Sequence, residues 1–153
     1  MVITTRFELG VPVDAAWAYL LDVQKVAACV PGGSVTQVID DHTYEGKIEV
    51  RVGAIALAYK GHLTLELDEP NKRVIIKAQG LESRGRGGAS ATSTATLMPN
   101  DNGTSVEMNT DLAVTGIVAQ FGRSGVMQEV AQRLAQRFAN CIDQQLKATA
   151  SAS

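Results

Sequence analysis

Few side chains in this sequence are suited to catalysis. His42 and His62 are the only residues that ordinarily titrate near neutrality, and no carboxylate or cysteine is spaced to pair with either. His42 falls in a turn and His62 on the charged face of an alternating segment, so both read as surface residues. No G-x-S-x-G elbow is present, and neither Cys29 nor Cys141 has a histidine placed to activate it. Gly85-Arg86-Gly87-Gly88 has the glycine spacing of a phosphate loop. A strand-like segment follows it, however, where a nucleotide site needs a helix N-terminus. With no catalytic or metal-ligating constellation, the function to look for is binding.

The unusual glycines are the next candidates. Plain turn chemistry occurs at Asp40-Asp41-His42, Pro70-Asn71 and Asn100-Asp101-Asn102-Gly103. Alternating with these are Pro31-Gly32-Gly33, a lone Gly53 in an apolar run, Gly85 to Gly88, and Gly116 through Gly122. In an up-and-down antiparallel sheet every second turn lies at one end, so the unusual turns share a rim. The start of the first helix at Pro12 is expected there too. Arg51, Arg84, Arg86 and Arg123 make that end locally cationic, beside the apolar Val30, Ile55, Ile117, Val118 and Phe121. Cations next to exposed apolar groups suit an anionic membrane surface or a protein partner. The plainer alternative is solvated arginines and positive-φ turns.

The elements that place these turns follow from periodicity. Val2–Leu9 alternates Ile3, Thr5, Phe7 and Leu9 against Thr4, Arg6 and Glu8, a half-buried strand. Pro12 opens a helix with Val13, Ala16, Trp17, Leu20 and Leu21 at helical spacing. Asp22 caps a second short helix, Val23–Cys29, which Pro31-Gly32 terminates. Six strands follow: Ser34–Asp40, Thr43–Val52, Ala54–Glu66, Arg73–Gln79, Gly87–Met98 and Thr104–Thr115. Ser124 then caps a long helix to about Lys147 with an apolar stripe of Met127, Val130, Ala131, Leu134, Phe138, Cys141 and Ile142. The expected class is α+β: one domain over residues 1–148 and a tail, 149–153, that frays.

A long amphipathic helix needs an apolar surface, and a curved seven-stranded antiparallel sheet wrapped around it supplies one. The strand from Gly87 to Thr96 carries no large side chain, and aromatics are only 5% of the chain. Either this strand packs under the bulky helix stripe, or it leaves a cavity. The residues expected to face such a cavity are Val50, Val52, Leu57, Tyr59, Leu63, Ala91, Ser93, Met108, Leu112, Phe121, Val130, Leu134 and Phe138. Tyr59 or Ser93 would give a ligand carbonyl its hydrogen bond.

Composition sets outer bounds. The chain of 153 residues, 45% apolar and 20% charged, suits one globular domain. A net charge of −2 gives no basic field for nucleic acid, and no run of 18 apolar residues spans a membrane. The N-terminus enters a strand at once and does not look like a signal peptide. The two cysteines are too few and too far apart for a disulfide framework or zinc site, and read as small buried residues of a cytoplasmic protein.

Several segments together resemble the G-subunit family of carbon monoxide dehydrogenase (CoxG), within the START-like, helix-grip superfamily. They are Cys29-Val30-Pro31-Gly32, Tyr44-Glu45-Gly46-Lys47-Ile48, Val50 to Ile55, Tyr59-Lys60-Gly61, Gly80 with Arg84-Gly85, and Gly116 to Gly122. The resemblance runs from about Phe7 to Leu146. It implies a helix-grip fold with a hydrophobic cavity, and association with a molybdenum hydroxylase of the carbon monoxide dehydrogenase type. It also implies a role in recruiting that enzyme to the membrane and in binding a lipophilic quinone. Some members carry a C-terminal extension implicated in membrane contact; with this sequence ending at Ser153, autonomous membrane anchoring is not expected.

The expected function is therefore that of a non-catalytic accessory or carrier protein, with no cofactor other than a bound quinone or lipid. It would be cytoplasmic or peripheral on the inner membrane face. The rim formed by Pro31, Gly32, Gly53, Arg84, Gly85, Arg86, Gly116, Gly122 and Arg123 would face the partner. Two alternatives stay open: a docking or assembly factor whose interior is only core, and a small cyclase-like enzyme drawing on Tyr59, His62 and Asp111.

Overall fold

The computed structural model describes residues 1–116, Ala119 and 125–152, the last five by backbone alone. Elements occur in the order β1 (Val2–Leu9), α1 (Val13–Leu20), α2 (Val23–Cys29), β2 (Gly33–Asp40), β3 (Thr43–Val52), β4 (Ile55–Asp68), β5 (Arg73–Glu82), β6 (Gly88–Asn100), β7 (Gly103–Val114) and α3 (Val126–Ala152). The seven strands form one antiparallel sheet in the order β1-β7-β6-β5-β4-β3-β2. Strands β2 to β7 thus each pair with their sequence neighbours, as expected of short turns, and β1 closes the far edge against β7.

The two short helices form for the reasons the sequence supplies. Pro12 is extended at the N-cap of α1, whose Ala16 and Trp17 are buried. The Asp22 carboxylate accepts the Lys25 amide at the start of α2. Strand polarity corrects one expectation here. β1 runs antiparallel to β7 with Leu9 opposite Thr104, so it emerges at the end where β7 begins. Pro12 therefore starts α1 at the end with the plain turns, where the Thr104 hydroxyl donates to the Val11 carbonyl at 2.7 Å.

Several boundaries also differ, most of all at β5 and α3. β5 continues through Gly80 to Glu82, so the turn at that end is residues 83–87. A glycine in a paired strand is tolerated where neighbouring backbone comes close, and does not by itself mark a turn. α3 is assigned from Val126, just after Gly125, and its backbone stays helical to Ala152 where a frayed tail was expected. Ser124, the expected cap, lies outside the described residues.

α3 lies along β1, and its polar side chains cover that strand's open edge. Gln128 bonds both the amide and the carbonyl of Thr4, and Gln132, one turn on, does the same for Arg6. The Asp143 carboxylate accepts the Gly10 amide at 2.8 Å. The main core packs Phe7, Leu9, Trp17, Val74, Leu97 and Val106 against Ala139 and Ile142 of α3. Phe7 and Phe138 meet edge to face at 5.7 Å. A second, smaller cluster gathers Val52 and Leu57 with Val126 and Met127 near the start of α3.

The cysteines are joined. Cys29, at the end of α2, forms a disulfide with Cys141 of α3 across a sequence separation of 112, with the Cα atoms 5.4 Å apart. Linear distance concealed the pairing, because α2 packs on α3 only in the folded chain. Cys29 is buried, as expected, but is not a free thiol. A disulfide persists where thiols are kept oxidised, so the cytoplasmic expectation loses the support it drew from free cysteines.

Candidate functional site

Between α2 and strands β2 to β6 lies a cavity of about 320 Å³. It is lined by Ile48 of β3, Tyr59 and Leu63 of β4, Ala78 of β5 and Ala91 of β6, and by Ala27 and Val30 of α2. β6 therefore serves both purposes considered for its small residues. Ala95 packs in the core, while Ala89 and Ala91 face open space.

The base of the cavity includes a line of glycines in register, Gly46, Gly61 and Gly80 on adjacent strands. A Cβ on Gly61 would lie 1.7 Å from the Gln79 carbonyl oxygen, so β4 and β5 cross here more closely than any side chain permits.

Tyr59 shares the lining with other polar residues, among them Ser34, His62, Gln79 and Ser90. Its hydroxyl is buried and has no hydrogen-bond partner among the described residues. Burial pushes its pKa up, reinforced by the Glu82 carboxylate and opposed by Arg86, so the phenol stays protonated as a donor. Ser93, the other expected donor, is already engaged, its Oγ lying 2.7 Å from the Thr110 hydroxyl.

The opposite role falls to Glu82, which lies beyond the strand end expected at Gln79. Its side chain is fully buried, and it accepts from Arg86 Nε at 3.1 Å, the Ala58 amide at 3.0 Å and the Arg84 amide at 2.8 Å. The bond from Arg86 lowers the Glu82 pKa most, followed by that from the Ala58 amide, and together they bring it to about 2. Arg86 also donates to the Ala56 carbonyl. Arg86 is thus consumed in building the turn at residues 83–87 and is not a free rim cation. Extending the period-two pattern Ala78, Gly80, Glu82 inward, with Arg86 four residues on, was the available signal.

The remaining predicted residues divide among several places. Val50, Leu57, Val130 and Leu134, with Pro31, Gly32 and Arg84, line a second concavity of about 520 Å³ at the rim, between the β3–β4 end and α3. Val52, Met108 and Phe138 pack in the two hydrophobic clusters. Leu112 is half-buried and exchanges backbone bonds with Met1. The rim glycines Gly32, Gly53, Gly85 and Gly116 all have positive φ. Gly116 also crosses Gly87 so closely that a Cβ would meet the Arg86 carbonyl oxygen at 1.9 Å. Phe121, Gly122 and Arg123 lie outside the described residues, as do Ile117 and Val118. His42, His62 and Asp111 are all exposed.

The model of the carbon monoxide dehydrogenase G-subunit family, CoxG, matches residues 6–147. This chain belongs to the CoxG family. Solved structures share its helix-grip fold. A conserved protein of Geobacillus kaustophilus is 22% identical with a TM-score of 0.84, covering 97% of each chain. A Thermus thermophilus protein is 12% identical with a TM-score of 0.68, covering 97% of this chain and 99% of its own. The Zhui aromatase/cyclase of a Streptomyces species is 12% identical with a TM-score of 0.64, covering 96% of this chain and 93% of its own. At such identities these likenesses establish the fold and no activity. A search of curated proteins finds no match. No helix among the described residues is long and apolar enough to cross a membrane.

Proposed function

We propose that this CoxG-family chain is a non-catalytic accessory protein that holds a hydrophobic ligand, a quinone or a lipid, in the cavity between the sheet and α2. The observation that carries this reading is the Tyr59 hydroxyl, buried with no partner among the described residues, on a side chain that lines a mostly apolar cavity. An unpaired buried hydroxyl is costly, on the order of 1–3 kcal/mol, and a ligand carbonyl would relieve that cost. A quinone supplies such an oxygen on an apolar ring. Family membership supports delivery of the ligand to or from a carbon monoxide dehydrogenase of the molybdenum hydroxylase type. Exchange with the inner face of a membrane would follow from the ligand's own solubility, as a peripheral contact.

The reading is tested by extracting the purified protein with organic solvent for mass spectrometry, and by titrating it with a short-tailed ubiquinone analogue. A co-purifying lipophile or saturable 1:1 quenching of Trp17 fluorescence is expected. Finding neither an extracted lipophile nor saturable binding would sink the carrier role.

A further inference from the structure

The 520 Å³ groove at the rim shares no lining residue with the Tyr59 cavity, and its chemistry is different. Arg51 and Arg84 reach it from the sheet end, and Arg133 and Arg137 from α3. Four of the chain's eight arginines thus surround one concavity, against a single carboxylate, Glu49, in a protein of net charge −2. No lysine lines it. None of the four arginines takes part in an ion pair among the described residues.

The four arginines are exposed, and two features gather their charge on one concavity. Arg133 and Arg137 are four apart and so stack on one face of α3, beside Val130 and Leu134. Arg84 sits on a turn whose backbone is fixed by the bond from its amide to Glu82. Because Arg86 neutralises Glu82, that carboxylate does not cancel the field of the other four. The floor is apolar, with Leu57 buried and Val50, Val130 and Leu134 half-buried. Arginine is the side chain suited to fork-like pairing with carboxylate or phosphate oxygens. The volume lies within the roughly 300–1,000 Å³ range of small-ligand sites.

We infer that this groove is a second ligand site, which binds an anionic amphiphile: a carboxylate or phosphate head held by Arg51, Arg84, Arg133 and Arg137, with the start of its alkyl chain along Leu57, Val130 and Leu134. Concave walls that carry cations on both sides fit a single head group better than a flat membrane surface.

The full-length protein is titrated calorimetrically, below micelle concentrations, with laurate, dodecyl phosphate, neutral dodecanol, acetate and inorganic phosphate. Laurate or dodecyl phosphate should bind at least roughly tenfold tighter than dodecanol or the chainless anions. Preference for laurate identifies a free fatty acid as the source, and preference for dodecyl phosphate a phospholipid-type head. Either supports the site. Arg133→Gln/Arg137→Gln should weaken the preferred anion by roughly tenfold or more and flatten its salt dependence. Arg51→Gln provides the same test from the sheet side should the helix variant fail to fold. Binding of the short-tailed quinone should be unchanged in both.

The inference is overturned if dodecanol binds as tightly as laurate and dodecyl phosphate, if the chainless anions do, or if folded arginine variants keep full affinity. A protein that binds quinone but no anionic amphiphile refutes this site and leaves the carrier role standing. The converse result does the reverse.

Discussion

Tyr59 and Glu82 are direct partners across β4 and β5, yet no bond joins their side chains. Glu82 gives its oxygens to Arg86 and to the backbone amides of Ala58, Arg84 and Arg86. The phenol directly opposite is left with none among the described residues. The same carboxylate that ties the rim turn to the sheet is thus taken up by other donors, and among the described residues the Tyr59 hydroxyl has no partner that would compete with a ligand.

Replacing Tyr59 by phenylalanine separates these roles. The variant should be as stable as the parent or slightly more so, because an unpaired buried hydroxyl is removed. Its affinity for the quinone analogue should fall roughly three- to tenfold, the worth of one hydrogen bond. Urea melts and fluorescence titration on the same sample check both halves. Ser93→Ala, whose hydroxyl already faces Thr110, should leave quinone affinity unchanged.

Glu82 predicts a specific acid sensitivity. Its pKa lies at about 2 in the folded chain, below the ordinary carboxylate value of 4.5. A depressed folded pKa contributes stability that is complete above the unfolded value and is lost as pH falls through the folded one. The urea midpoint should therefore decline chiefly between about pH 4.5 and pH 2. Glu82→Gln should lower the midpoint at pH 7 and flatten that decline. Glu107, lowered by its bond from Arg6, and Asp40, lowered by the His42 amide, act in the same sense, but both bonds are open to solvent, which makes them minor. Arg86→Ala leaves a buried charge unmatched and should reduce the Tm by roughly 10 °C. An unchanged Tm would contradict the buried pair.

The disulfide should respond to reductant. Closing a loop of 112 residues restricts the unfolded chain, and a bond of that span contributes about 4–5 kcal/mol in the chain-entropy picture. Dithiothreitol, or Cys141→Ser, should lower the Tm by roughly 10 °C. Ala27 and Val30, flanking Cys29 on the α2 side, also line the cavity, so reduction should speed ligand release as well. Mass spectrometry of the native chain before and after alkylation verifies the bond. Two freely alkylated thiols would refute it.

The fold was legible because its signals are local. Alternation in Thr43–Val52 gave that strand's observed limits, and Asp22 capped the helix it was expected to cap. The residues of the site were less legible where they depend on distant packing. Cys29 and Cys141 are brought together by helix docking, which no spacing encodes. Glu82 was hidden because Gly80 looked like the end of a strand, whereas it continues the sheet at a close crossing. Arg133 and Arg137 sit outside the apolar stripe of α3 and looked like solvated exterior. Only the placement of α3 over the β3–β4 end brings them beside Arg51 and Arg84.

The edge of β1 offers a last test. Its open backbone is bonded by Gln128 and Gln132, each of which takes both an amide and a carbonyl of one residue. An uncovered edge strand is a template for pairing with another chain. In Gln128→Ala/Gln132→Ala, water replaces these exposed bonds, so the stability loss should be small, about 1–2 kcal/mol. The larger effect should be on association. With the edge bare, two copies can pair through β1, and light scattering behind size exclusion should show a mass that rises with concentration. The parent should keep a constant mass over the same range. If the double variant loses several kcal/mol instead and keeps the parent's mass, the glutamines fasten the helix rather than guard the edge.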